Sequence, residues 1–122
     1  MEKTYVLVVD DNEAVRQALS VVLNLEKDIQ VIGDAKDGEE AVKRASELSP
    51  DVVVMDFYLP KMDGLEATKI IKMKDPKVKV LVLSVSEQGV NSKKAVEAGV
   101  EKWISKSSSP NVLIDAIREI AH

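Results

Sequence analysis

Val52-Val53-Val54-Met55-Asp56 is an apolar run closed by a carboxylate, and Phe57-Tyr58-Leu59-Pro60 and Met62-Asp63-Gly64 come next. A β-branched run that ends in one acid and then a Pro/Gly turn reads as a buried strand with Asp56 at its C-terminal mouth. The pattern recurs along the chain. Tyr5 to Val9 ends in Asp10 and Asp11, Val80 to Leu83 ends in Ser84, and Trp103-Ile104-Ser105 ends in Lys106. Parallel strands in one sheet would bring all of these polar groups to one edge.

Between the strands the apolar residues take helical spacing. Strands are expected at 4–9, 29–32, 52–55, 79–83 and 102–105. Helices are expected at 13–26, 38–48, about 65–73, about 92–98 and 110–121. Asn12 and Ser109 are candidate N-caps, and Pro110 suits a first helical position. Gln30 gives the second strand an edge-like polarity. Ser49-Pro50, Asp75-Pro76 and Gly99 are stop signals, and Gly89 marks a polar loop. Strands alternating with helices imply a parallel sheet covered on both faces. Right-handed crossovers then require a (βα)5 doubly wound, flavodoxin-like three-layer α/β sandwich. Ligands of such sheets sit beyond the strand C-termini.

The 122 residues are read as one domain spanning 1–122. With no cysteine, disulfides and thiolate metal sites are excluded. The N-terminus has no signal-peptide pattern and no apolar stretch approaches the ~20 residues of a membrane span, so a cytoplasmic protein without membrane contact is expected. A net charge of −4 argues against nucleic-acid binding by the chain itself. Lys69, Lys72, Lys74, Lys77 and Lys79 cluster, but a solvated face explains them better than a binding patch. The one histidine, His122, is terminal, which argues against histidine catalysis within the chain.

Like charges ~4 Å apart repel by roughly 4 kcal/mol at an effective dielectric near 20. Three converging carboxylates therefore need a cation or raised pKa values. An oxygen-only donor set with few protein ligands suits Mg²⁺. Asp11 and Asp56 are assigned as direct ligands, Asp10 as a ligand through water, and the Tyr58 backbone carbonyl as a third protein donor. A carboxylate can attack phosphorus to give an acyl phosphate. Asp56 is the assigned acceptor, with Lys106 as a fixed cation and Ser84 as a hydroxyl donor toward the transferring group. Taken singly, an Asp at a strand end is usually a cap, a Ser a turn former, a Lys solvated and a Trp core. The conjunction carries the reading.

These residues resemble the receiver domain of two-component response regulators over the whole chain. The matching pieces are Val8-Val9-Asp10-Asp11, Met55-Asp56 with Leu59-Pro60 and Met62-Asp63-Gly64, Ser84, and Ala98-Gly99 followed by Trp103 and Lys106. The resemblance implies strand order 2-1-3-4-5, the order of flavodoxin-like doubly wound sheets. It implies phosphotransfer to Asp56 from a phosphohistidine on a sensor histidine kinase. Such a domain is not an enzyme, although it catalyses its own phosphotransfer and autodephosphorylation. The hydroxyl matching Ser84 turns toward the phosphoryl group, and the aromatic matching Trp103 follows it from exposed to buried. The surface of the fourth helix, fifth strand and fifth helix then changes for partners, a phosphorylation-dependent homodimer among them.

The chain departs from the family pattern at three positions. Ser107 replaces the usual proline after the lysine, and a cis bond there would cost about 3 kcal/mol, which favours trans. Trp103 stands where Tyr or Phe is commoner, and Val85 where Ala or Gly is frequent. Lys106-Ser107 resembles regulators of the LuxR/NarL type, whose DNA-binding output domain would lie outside this chain. The alternative is a stand-alone receiver acting through protein contacts. A haloacid-dehalogenase-type phosphohydrolase would need an Asp where Tyr58 stands. An FMN site would be repelled by Asp10-Asp11-Asn12-Glu13. A degenerate receiver conflicts with the intact acids, Ser84 and Lys106. Tyr58 and Ser86 are the positions expected to tune phosphoryl lifetime.

Overall fold

The computed structural model describes residues 2–85 and 92–121. Five strands, β1 (Thr4–Val9), β2 (Ile29–Ala35), β3 (Val52–Asp56), β4 (Lys79–Ser84) and β5 (Lys102–Ser105), alternate with five helices. The helices are α1 (Glu13–Asn24), α2 (Gly38–Leu48), α3 (Gly64–Lys74), α4 (Ser92–Ala98) and α5 (Pro110–Ala121). All strand pairs are parallel and the order is β2-β1-β3-β4-β5, as the resemblance implies. Ser86 and Gly89 fall outside the described residues.

The period of two along each strand sorts the core into two layers. Val6, Val8, Val52, Val54, Leu81 and Leu83 face α1 and α5. Leu7, Val9, Val53, Met55, Val80 and Val82 face α2 and α3. Because both faces are covered, the strands read as continuous apolar runs rather than alternating ones. Asn12, Asp37 and Asp63 start α1, α2 and α3, each accepting a backbone N–H three residues on.

Two boundaries differ from expectation by more than one residue. The first helix stops at Asn24 rather than 26, and the Leu25 and Glu26 N–H groups close its last turn on Val21 and Leu23 carbonyls. The second strand runs to Ala35 rather than 32. A register shift between Val6 and Leu7 lets the ladder continue through Gly33 and Asp34, whose composition hides a strand at the sheet edge. In α3 the fully buried face is Ala67, Thr68 and Ile71, with Leu65 and Ile70 only half-buried. One member of the lysine cluster is not solvated: Lys72 Nζ donates to Glu101 at 2.8 and 2.9 Å and to the Val78 carbonyl at 2.8 Å.

Candidate functional site

The C-terminal ends of β1, β3, β4 and β5 deliver the polar groups to one edge of the sheet. Asp10 and Asp56 are buried, and Asp11 is exposed. One carboxylate oxygen from each of the three lies within 4.8 Å of the others. Lys106 reaches across β4 from the end of β5, its Nζ 2.9 Å from Asp10 Oδ2 and 3.2 Å from Asp56 Oδ2. Its own N–H donates to the Ser84 carbonyl at 2.8 Å. Ser84 is buried one residue beyond Leu83, the register partner of Asp56. All five predicted polar residues thus sit at this edge. The peptide after Lys106 is trans.

Two backbone contacts set the position of Asp56. The Tyr58 N–H donates to Asp56 Oδ1 at 3.3 Å, and the Phe57 N–H donates to the Leu83 carbonyl at 2.9 Å. α3 starts hard against the strand end. Gly64 N–H donates to the Phe57 carbonyl at 3.0 Å, and a Cβ on Gly64 would fall 2.7 Å from the Asp56 carbonyl oxygen. Burial pushes the Asp56 carboxyl above its ordinary range and the Asp10 charge adds to this, while Lys106 and the Tyr58 N–H oppose it. For Lys106, burial favours the neutral amine, but the hydrogen bond to Asp10 and the charges of both acids outweigh it, so its pKa is raised. The site therefore holds two buried carboxylates on one cation, with a further acid open to solvent. That donor set, all oxygen and in excess of the local positive charge, fits a hard divalent cation such as Mg²⁺.

Trp103 stands on β5 with its ring half-buried, 5.4 Å between centroids from Phe57, the residue after Asp56. Its Nε1 is buried and has no hydrogen-bond partner among the described residues. Tyr58 and Val85 flank the site with exposed side chains.

Sequence reasoning missed Arg16. Its Nη1 donates to the Asp10 carbonyl at 2.7 Å and its Nε to Asp34 Oδ2 at 2.9 Å. Its position one turn into the helix behind the acidic turn was the only available signal. It also missed Phe57, which looked like one more apolar residue.

The fold and this edge define a doubly wound α/β domain with an acidic, lysine-bridged site at the C-terminal edge of its sheet. Residues 6–118 match the response regulator receiver domain, and the chain belongs to that family. It is a receiver domain of two-component signal transduction. Similar proteins include the response regulator protein VraR of Staphylococcus aureus strain Mu3, 41% identical over 114 residues, which cover 93% of this chain and 54% of VraR. The chain thus spans about half the length of the curated relatives it matches. Among solved structures it is similar to the signal receiver domain of the putative response regulator NarL from Mycobacterium tuberculosis. The TM-score is 0.93 at 26% identity, covering 99% of this chain and 98% of that one. It is also similar to a DNA-binding response regulator of the LuxR family from Staphylococcus aureus, with TM-score 0.90 and 28% identity over 98% of this chain and 99% of that chain. Among the described residues no helix is long and apolar enough to cross a membrane.

Proposed function

We propose that Asp56 is the phosphoacceptor and that residues 1–122 form one receiver domain serving a sensor histidine kinase. The observation that carries this is the placement of a buried Asp56 carboxylate 3.2 Å from Lys106, beside Asp10 and Asp11. An Asp56 oxygen forms a bond to phosphorus as the bond from phosphorus to the kinase histidine nitrogen breaks. The electron pair of that bond leaves with the imidazole. Asp56 must be ionised to attack, and Lys106 favours that form against the burial that opposes it. Lys106 and the Ser84 hydroxyl then meet charge on the phosphoryl oxygens. Asp11, Asp56 and the Tyr58 carbonyl, with Asp10 through water, would hold Mg²⁺, which would supply the remaining positive charge facing the phosphoryl oxygens.

Ser84 and Trp103 carry the response. A phosphoryl group on Asp56 gives the Ser84 hydroxyl a strong acceptor. Trp103 moves with the strand ends, a reading that its 5.4 Å ring contact with Phe57 supports, and the surface of α4, β5 and α5 changes with the modification. Membership of the family supports the kinase partner, and the domain modifies only itself rather than turning over a separate substrate. The greater length of VraR and the likeness to a LuxR-family DNA-binding regulator support an output domain outside residues 1–122, acting on transcription in the cytoplasm. A phosphorylation-dependent homodimer fits that role.

Intact mass after incubation with Mg²⁺ and acetyl phosphate tests the acceptor. Wild type gains one phosphoryl mass and Asp56→Asn gains none. A gain by both proteins overturns the assignment of Asp56.

A further inference from the structure

We infer that Arg16 is a positioning residue for the cation site, aiming the Asp11 carboxylate by holding the peptide that precedes it. The inference rests on the metal reading above and adds a residue to it. Four contacts fix Asp10. Its N–H donates to the Ala35 carbonyl at 3.1 Å, and its carbonyl accepts from Arg16 Nη1 at 2.7 Å. Oδ1 accepts from the Asn12 N–H at 2.9 Å, and Oδ2 from Lys106 Nζ at 2.9 Å. Asp11 has no such support: its carboxylate is exposed, and no described residue hydrogen-bonds or ion-pairs with it.

The Asp10 carbonyl belongs to the peptide joining Asp10 to Asp11. A peptide is planar, so holding the Asp10 carbonyl fixes the plane that carries the Asp11 Cα. The Asn12 N–H on Asp10 Oδ1 holds the peptide that follows, and the two contacts together limit the direction in which the Asp11 side chain leaves the backbone. Arg16 can hold it because its fork is itself fixed. The Nε–Asp34 Oδ2 contact of 2.9 Å ties the guanidinium to β2, and the Arg16 side chain is only 14% exposed. A planar guanidinium making two divergent contacts is a geometry lysine cannot copy. Groups that orient a ligand without touching the metal change its affinity by about 10–100-fold when removed.

The sign of the effect separates positioning from electrostatics. Removing a positive charge beside a cation site would by Coulomb's law tighten binding of the cation. Loss of the Asp11 orientation would weaken it. Mn²⁺ is the probe, with the free ion counted by electron paramagnetic resonance during titration of the chain. Unfolding curves are recorded alongside, and titrations are run well below each melting temperature. Wild type binds one Mn²⁺ and Asp11→Asn binds far more weakly. Arg16→Met, which keeps the apolar stem, raises Kd about tenfold or more, and Arg16→Lys raises it less. Binding by Arg16→Met as tight as wild type, or tighter, overturns the inference and leaves Arg16 a purely structural tie between α1 and β2. If Arg16→Met does not fold, Asp34→Asn decides, since freeing the Nε end should also raise Kd, and an unchanged Kd overturns the role. Failure of wild type to bind, or equal binding by Asp11→Asn, instead brings down the metal reading itself.

Discussion

The ammonium of Lys106 lies 3.2 Å from the Asp56 carboxylate although their strands, β5 and β3, are separated by β4. The same ammonium is 2.9 Å from Asp10, which stands at the end of β1 on the far side of β3. One flexible stem thus compensates two buried acids carried by two other strands. Lys106→Met removes that compensation and leaves both carboxylates without a cation. Breaking a buried pair from one side costs about 3–5 kcal/mol, and the partial exposure of Lys106 reduces this to roughly 2 kcal/mol. Urea unfolding in EDTA should show that loss, and Mg²⁺ should restore part of it. Equal stability of both proteins in EDTA would mean that the acids are relieved some other way.

The Asp56 pKa is raised in the folded protein, chiefly by burial. An acid with a raised folded pKa binds its proton more tightly folded than unfolded. Its contribution to stability is therefore greatest below the unfolded pKa and is lost as pH rises through the folded one. At neutral pH the ionised group destabilises the metal-free fold. Asp56→Asn should accordingly melt higher than wild type at pH 7 in EDTA, and the gap should close as the pH falls toward the carboxylate range. A gap that widens on acidification would reverse the sign of the shift.

The strands and their terminal acids are legible because burial and chemistry are written locally. A run such as Val52 to Met55, short, β-branched and bounded by turn residues, reads as a covered strand, and the residue that closes it then lies at the sheet edge. β2 reads short because Gly33 and Asp34 are poor strand formers that an edge position tolerates after a register shift. Arg16 is not legible. Its partners are a main-chain carbonyl and an aspartate 18 positions away, and neither leaves a periodic mark in the sequence. Lys72 reads as solvated for the same reason, since Glu101 lies 29 positions on.

Trp103 buries an N–H that finds no acceptor among the described residues, while its ring packs near Phe57. A buried unpaired donor costs about 1–3 kcal/mol. Trp103→Phe removes the donor and keeps an aromatic face, at the cost of some apolar area. Thermal melts should find it neutral or slightly stabilising, whereas Trp103→Ala should lose about 2 kcal/mol or more. Equal losses for both substitutions would show that the full indole, and not merely a ring, is what the site needs.

Val85 follows Ser84 at the mouth of the site and is 66% exposed. On the reading of Asp56 as phosphoacceptor, a branched side chain there is expected to narrow the approach of a phosphodonor or of water. Val85→Ala should speed phosphorylation by acetyl phosphate or shorten the phosphoryl lifetime, read by stopped-flow quenching of Trp103 and by loss of the phosphoryl mass. Rates equal to wild type in both measurements would remove Val85 as a gate.

Gly64 is required by contact rather than by backbone angle. A Cβ there would lie 2.7 Å from the Asp56 carbonyl oxygen and 3.2 Å from Met55 Cγ. The first obstacle is main chain at the end of a central strand, so relief must come by moving either α3 or Asp56 itself. Overpacking of this kind costs about 1–3 kcal/mol. Either movement also strains the 3.0 Å hydrogen bond from Gly64 to the Phe57 carbonyl, which ties α3 to the loop carrying Tyr58. Gly64→Ala should therefore lower stability and slow phosphorylation together, and the slower rate should persist at temperatures where the variant is fully folded. A variant that loses stability but phosphorylates at the wild-type rate when folded would show that α3 yields and that Asp56 keeps its place.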